Sequence, residues 1–151
     1  MSKAQELIDA AKPPEMNERR KQLRIDIEAA RNRRMEEIPV DVLIGDVAAK
    51  IVLTELWGHE WNNLACTFPR EGNQVDAAVR CNSDVLLEGY PTDRITIDGE
   101  HPTPEEWIEL VRLLPAPCRE DIVIGLWGVH IHRPEQQLAR LLAEEKEKTN
   151  G

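Results

Sequence analysis

The sequence predicts a mainly helical α+β fold with a small β-hairpin or ribbon, in which amphipathic helices pack around a core of Trp and Leu. One helical pattern occurs twice, at residues 60–64 and 106–110: an acidic residue is followed by Trp and, three positions after the Trp, by Leu, with a proline downstream. Trp and Leu at this spacing share one helix face, and the proline helps to end the helix. Two runs rich in β-branched residues, at 38–46 and 50–54, predict the hairpin.

The N-terminal 37 residues predict a charged helical arm. A short helix over 3–12 ends at a double proline, and a longer helix spans about 15–37, where good helix formers dominate. Nine Lys or Arg and eight Asp or Glu make the arm nearly neutral but dense in charge. Its narrow apolar stripe consists of Leu23, Ile27 and Ala30. Two interpretations stay open: a solvated charged helix, and an arm that docks on a partner.

A helix is expected around the first Trp pattern. Thr54 can cap it, and it carries Trp57, Trp61 and Leu64 on one face before it stops near Pro69. The opposite face of this helix is polar, so the sequence predicts an amphipathic helix that packs on the core.

The middle of the chain predicts shorter elements. Residues 70–82 indicate a loop with at most one helical turn, and Ser83 is expected to cap a short helix that ends at Gly89. Residues 94–98 alternate like a strand and lead into a turn.

The clearest helix start is Thr103-Pro104-Glu105-Glu106. Thr103 is the expected cap, Pro104 the first helical residue, and Glu106 the partner in a capping box. The core face of this helix consists of Trp107, Leu110, Val111 and Leu114.

Two more helices are expected near the C-terminal end. The first spans about 119–131, where Gly125 and Gly128 allow close approach of another backbone, and the second spans about 134–146 before a charged tail. The inward residues of the first are Ile122, Leu126, Trp127 and Val129, and the apolar residues of the second are Leu138, Leu141 and Leu142.

The predicted organisation is therefore a charged N-terminal arm over 1–37, a compact α+β core over 38–133, and a C-terminal helix with a charged tail over 134–151. Residues 38–151 hold ten Lys or Arg and twenty Asp or Glu, which argues against a duplex-binding surface. We find no signal-peptide pattern and no apolar stretch of the ~18 residues that a membrane span needs. We expect a soluble protein with no nucleic acid and no membrane partner.

No catalytic motif is present in the sequence: it has no Gly-rich phosphate loop, Gly-x-Ser-x-Gly or His-Glu-x-x-His. His130 and His132 are two residues apart, and on a helix such neighbours point away from each other, which disfavours a metal site. Cys118 lies near a helix start, but no adjacent base supports a nucleophile. Cys66, Cys81 and Cys118 form no close pair for a disulfide or a metal knuckle. We expect no catalytic residues, no cofactor and no metal, and a protein that is not an enzyme.

Several anchors follow one another between about residues 38 and 131. They are Trp61 and Leu64 with Phe68-Pro69-Arg70, the region of Asn82 that leads into a short helix, Thr103-Pro104-Glu105-Glu106-Trp107 with Leu110, and Trp127-Gly128-Val129-His130. In order and spacing they resemble those of the tail assembly chaperones of long-tailed, siphovirus-type bacteriophages, especially those that infect actinobacteria. Such proteins often begin with a charged helical arm like the one at 15–37.

The resemblance implies a non-catalytic protein of the host cell cytoplasm that binds the apolar, helical tape measure protein and keeps it soluble until tail-tube subunits replace it. It leaves open two further partners, a frameshifted long form of the chaperone and other copies in a homo-oligomer. A charged C-terminal end fits the short form of such chaperones. The candidate partner-binding residues are Trp57, Leu64, Leu138, Leu141 and Leu142, although Trp and Leu are more often core residues.

Three other function classes stay open. A structural or adaptor protein of the phage head-tail or tail apparatus would remain in the mature particle, whereas a chaperone would be missing from it. A metal-dependent or thiol enzyme would need a bound metal or an activated thiol. A regulatory protein that uses the arm on nucleic acid would bind in a strongly salt-dependent way.

Overall fold

A computed structural model describes residues 14–150 of the chain. The chain divides into two units, Met1–Arg34 and Met35–Gly151. The predicted α+β class is confirmed, because the structure is 62% helical and has one small antiparallel sheet of three strands. The helix predicted over 3–12 lies outside the described residues.

In the first unit, α1 (Pro14–Arg31) is a charged helix whose large apolar side chains are exposed. Its ion pairs join neighbouring turns: Lys21 with Glu18 at 3.4 Å and Arg31 with Glu28 at 3.2 Å. The helix ends at Arg31, before the predicted limit of 37. Residues 32–36 are not helical, and Glu37 begins a strand that pairs with Thr54.

In the second unit, the predicted hairpin is confirmed. β1 (Glu37–Ile44) and β2 (Val47–Thr54) pair antiparallel around a tight turn at Gly45, which has a φ of +60°. A 3-10 turn (Thr92–Arg94) leads into β3 (Ile95–Ile97), which pairs antiparallel with β2. The buried residues of the two long strands alternate and form one wall of the core: Ile38, Val40, Val42, Ala49, Ile51 and Leu53.

The first Trp pattern forms a shorter helix than predicted. α2 is Gly58–Leu64, and its N-cap residue is Trp57, whose backbone N–H donates to the Glu60 carboxylate at 2.9 Å. Thr54 does not cap this helix because it is the last residue of β2. Trp57 therefore precedes the helix instead of sharing its face, whereas Trp61 is buried as predicted.

Two short helices follow. α3 (Gln74–Val79) lies in the stretch predicted to be a loop with one helical turn. α4 (Ser83–Gly89) has its predicted end, but its cap is Asn82, whose side chain accepts two backbone N–H groups. Ser83 is not the cap because its hydroxyl donates to the buried carboxylate of Asp76 at 2.7 Å.

The second Trp pattern forms the helix that the sequence predicts. α5 spans Pro104–Leu113. The Glu106 carboxylate accepts the backbone N–H of Thr103 at 2.9 Å, and the Thr103 hydroxyl accepts the backbone N–H of Glu106 at 3.1 Å, which confirms the capping box. Trp107 is fully buried, and its indole N–H donates to the carbonyl of Leu87 at 2.7 Å.

The C-terminal part of the described chain is one continuous helical run. α6 (Ala116–Trp127) begins three residues before the predicted 119, a π-helical turn covers Gly128–His132, and α7 continues over Arg133–Asn150. α6 packs against β1 and α3. Its inward residues Ile122 and Leu126 are fully buried, as predicted.

The two glycines of this run differ. At Gly125 the structure shows a close approach to a side chain and not to another backbone, since an added Cβ would lie 2.7 Å from Cγ2 of Ile38. At Gly128 the prediction is wrong, because no atom outside the local helix lies within 4 Å of an added Cβ.

Candidate functional site

Among the described helices of the second unit, α7 carries the most exposed large hydrophobic residues, three leucines. Every side chain of residues 132–149 is exposed. Leu138, Leu141 and Leu142 are 58%, 49% and 55% exposed, respectively. Because they lie at positions i, i+3 and i+4, the three share one helix face. We name these three residues the leucine stripe.

Charged residues surround the leucine stripe. Arg140 and Glu144 approach to 3.9 Å on the helix surface, and the last turns carry Glu145, Lys146, Glu147 and Lys148. A helix with an apolar face and charged flanks can lie against another amphipathic helix or in an apolar groove. The arrangement is therefore suited to holding a protein segment.

The π-helical turn attaches the N-terminal end of α7 to the core. His130 stacks on Trp61 with ring centroids 4.2 Å apart. Its Nε2 accepts the backbone N–H of Leu56 at 2.9 Å, and its Nδ1 lies 2.8 Å from the carbonyl oxygen of Leu126. These two bonds require a neutral imidazole with the proton on Nδ1. Burial lowers the pKa of His130 below its ordinary value, which favours the same form.

Ion pairs add to this anchorage at the first turn of α7. Arg133 lies 3.1 Å from Glu36, and Glu135 lies 2.9 Å from Arg80. All four side chains are more than one third exposed, so each pair contributes at most about 1 kcal/mol. The stacked His130 is the stronger link between α7 and the core.

The structure does not group all five predicted partner-binding residues. It brings Leu138, Leu141 and Leu142 together on one face. Trp57 lies half-buried at the start of α2, and Leu64 is half-buried against the core. Leu64 packs so closely that its Cδ1 is 2.8 Å from the position of a Cβ added at Gly89. The leucine stripe is therefore the better candidate for an interaction surface.

A second cluster, which sequence reasoning missed, holds the loop over residues 65–73. Asp76 is fully buried and accepts five hydrogen bonds at 2.7–3.0 Å, from the backbone N–H and guanidinium of Arg70 and from the N–H and hydroxyl of Ser83. The Arg70 guanidinium holds the pKa of the Asp76 carboxyl far below its usual range. Arg70 also donates to Asp84 at 2.7 Å. We name Arg70, Asp76, Ser83 and Asp84 the polar clamp.

A signal for the polar clamp is present in the sequence. Asn73 and Asp76 have the spacing of a helix cap and its third helical residue, and the side chain of Asn73 accepts the N–H of Asp76 at 3.0 Å. The partner of the buried carboxylate, Arg70, precedes this cap, and no helical or strand pattern indicates that pairing.

A metal site needs several ligating side chains in one group, and a bilayer-spanning helix needs length and apolar character. Across residues 14–150, no three His, Cys, Asp or Glu side chains are grouped so that they could hold a metal ion. His132 stacks on Trp127 at 4.7 Å, whereas His130 stacks on Trp61, so the two imidazoles have different partners. Within the same range, no helix combines the length and the apolar character of a bilayer span.

Comparisons with known proteins leave the family of the chain open. No protein-family model, no curated protein and no solved structure matches it. The leucine stripe is thus a candidate interaction surface on three observations: its exposure, its helical spacing, and the attachment of the N-terminal end of α7 to the core through His130.

Proposed function

We propose that this chain is a non-catalytic phage tail assembly chaperone that binds the tape measure protein and keeps it soluble during tail assembly. The observation that supports this proposal is the exposed leucine stripe on α7, a helix whose root is fixed by the stacked His130. The resemblance of the sequence to tail assembly chaperones supplies the client, a long and apolar helical protein.

The leucine stripe has the chemistry of a reversible binding surface. Complete burial of one Leu side chain is worth about 1.5–3 kcal/mol. Because each leucine is already about half covered, a client helix gains about 1 kcal/mol per leucine. That is too little for tight binding once the cost of association is subtracted. Repeated along a long client, however, such weak contacts hold it through avidity and still yield to tail-tube subunits.

The charge of the chain suits this role. The formal net charge is −9, so a client coated by several copies would carry a large negative charge. Like charge on the outside of a complex opposes further association and keeps it in solution.

The proposal is tested by co-expression of the chain with the tape measure protein of its own genome. We expect the wild-type chain to co-purify with the tape measure protein and to raise its soluble fraction severalfold. The triple variant L138Q/L141Q/L142Q should lose both effects, because Gln preserves helix propensity but removes the apolar face. Leu113→Gln is the matched control, since Leu113 is a 72% exposed leucine on another helix, α5.

Two results would contradict the proposal. One is a triple variant that is folded by circular dichroism and solubilises the client as well as the wild type does. The other is a chain that fails to bind the tape measure protein and is instead retained in purified phage particles, which would favour a virion structural or adaptor protein.

A further inference from the structure

The most exposed large hydrophobic side chain of residues 14–150 is Phe68. It is the only Phe of the chain, and it is 92% exposed in the loop over 65–73 between α2 and α3. An aromatic ring held in water contributes nothing to the core. Aromatic residues are, by contrast, the side chains that most often anchor protein interfaces.

The loop that carries Phe68 is held by hydrogen bonds of residues before and after Phe68 in the chain. Before it, the hydroxyl of Thr67 accepts the backbone N–H of Asn82 at 3.0 Å. After it, Pro69 restricts the backbone, and the N–H of Arg70 donates to the buried Asp76 at 2.9 Å. These bonds hold the chain on both sides of Phe68, which lowers the backbone entropy that binding would cost.

An apolar groove lies between α3 and α6 on the same unit. Its volume is about 340 Å³, and its apolar lining consists of Val75, Ala78, Val79, Val123, Ile124 and Trp127. An apolar cavity of about 150 Å³ is large enough for benzene, so this groove has room for a phenyl ring and a neighbouring proline. Ile124, at its edge, is 56% exposed.

We propose that Phe68 of one copy of this chain occupies the apolar groove of a second copy, and that the exchange is reciprocal in a two-fold symmetric dimer. The groove is apolar like the ring and has room for it. They are also close in the chain, because Phe68 is six residues before Gln74, where the groove wall α3 begins, and that length spans at most about 20 Å. A two-fold axis makes an interface self-complementary, so one axis can place each ring in the groove of the other copy.

The size of this contact makes the dimer reversible. Each Phe buries about 150–250 Å² of its own surface, and two rings with the groove surfaces that they cover stay below about 1,200 Å² in total. Interfaces of this size are typical of transient complexes. The dimer should therefore form at high protein concentration and dissociate on dilution. It uses a surface other than the leucine stripe, so it does not depend on the proposed function.

The dimer is tested by sedimentation of the full chain over a concentration series. Phe68→Ala removes the ring, and Ile124→Lys places a charge in the groove, where Glu120 four residues earlier can pair with the new Lys and support the helix. We expect each variant to weaken dimerisation roughly tenfold or more, as expected for loss of a central aromatic anchor. Leu113→Ala and Leu113→Lys are the matched controls and should dimerise like the wild type. Unfolding curves should show that all variants are folded.

A photo-cross-link identifies what occupies the groove. With benzoylphenylalanine at position 68 and a mixture of isotopically labelled and unlabelled chains, we expect cross-links between molecules to α3 or to residues 123–127. The proposal is overturned if the wild type is monomeric at every concentration, if Phe68→Ala dimerises like the wild type, or if position 68 cross-links only to the tape measure protein or to lipid.

Discussion

His130 links the core to the C-terminal helix through three contacts of one ring. It stacks on Trp61, accepts the N–H of Leu56 and donates to the carbonyl of Leu126. Protonation of Nε2 would break the bond to Leu56, because a protonated ring nitrogen cannot accept a hydrogen bond. The sequence placed this residue at a helix end but did not reveal its partners, since Leu56 is 74 residues away along the chain.

Acidification should therefore destabilise the protein through His130. Its pKa is lowered in the folded state, so the unfolded chain binds a proton at a higher pH, near 6.5. The stabilisation is present above the unfolded-state pKa, near 6.5, and is lost progressively as the pH falls from there through the lower folded-state pKa. We expect the free energy of unfolding to fall between about pH 7 and pH 5.5, and this slope should be smaller in His130→Gln. Urea unfolding at several pH values measures it.

His59, which is exposed, provides the control for that experiment. His59→Gln should keep the wild-type slope. Asp76 does not interfere, because its lowered pKa preserves its contribution until the pH falls below about 4. Equal slopes in the wild type and His130→Gln would contradict the role given to the imidazole.

The buried carboxylate of Asp76 should contribute more to stability than the half-buried carboxylate of Asp84. Asp76→Asn replaces an acceptor of five hydrogen bonds by an amide, half of which is a donor. We expect a loss of about 2–4 kcal/mol in the free energy of unfolding. Asp84→Asn weakens two ion pairs, with Arg70 at 2.7 Å and with Arg119 at 2.5 Å, at a side chain that is 47% exposed, and should cost about 1 kcal/mol. A loss of less than about 1 kcal/mol on Asp76→Asn would contradict the role given to this buried carboxylate.

At the scale of elements, the sequence predicted those whose signals are local. The capping box of α5 and the alternation of the hairpin involve residues a few positions apart, and both are confirmed. Thr54 was misassigned because its residue type fits a helix cap, whereas pairing with Glu37 in the sheet extends β2 to that position. Strand pairing also limits the first helix. The helix-forming residues predict it to about 37, whereas Glu37 pairs with Thr54 in the sheet.

The contact between α6 and β1 gives a matched pair of glycine variants. Gly125→Ala gains about 1 kcal/mol of helix propensity, but its Cβ would meet the buried Ile38 at 2.7 Å. Overpacking of this kind costs about 1–3 kcal/mol, so we expect a net loss of stability. Gly128→Ala meets no atom within 4 Å and should be neutral or stabilising by about 0.4–1 kcal/mol. Thermal unfolding compares the two, and a Gly125→Ala variant as stable as Gly128→Ala would contradict the close approach.

At the scale of the whole molecule, the periodicity of apolar residues was enough to predict the α+β class. This periodicity was not enough to predict which apolar residues are exposed on the surface or where the groove forms. Exposure of Phe68 and of the leucine stripe depends on which faces the core leaves uncovered, and the groove between α3 and α6 is formed by residues about 45 positions apart. The sequence also could not separate Leu64, which is half-buried against the core, from Leu138, which is exposed, because both lie on amphipathic helices.

The two surfaces would act together. A dimer joined through Phe68 would present two copies of α7, and a linked pair of weak sites binds a long client more tightly than either site alone. Loss of the dimer should then weaken the hold on the client without abolishing it, whereas loss of the leucine stripe should abolish it.

The most direct measurement of the central claim is the methyl NMR spectrum of the leucines during titration with a purified segment of the tape measure protein. We expect the signals of Leu138, Leu141 and Leu142 to shift or broaden as the client is added. The fully buried Leu53, Leu86 and Leu126 should not respond. A saturating titration that leaves the three α7 signals unchanged would contradict the assignment of α7 as the client-binding element.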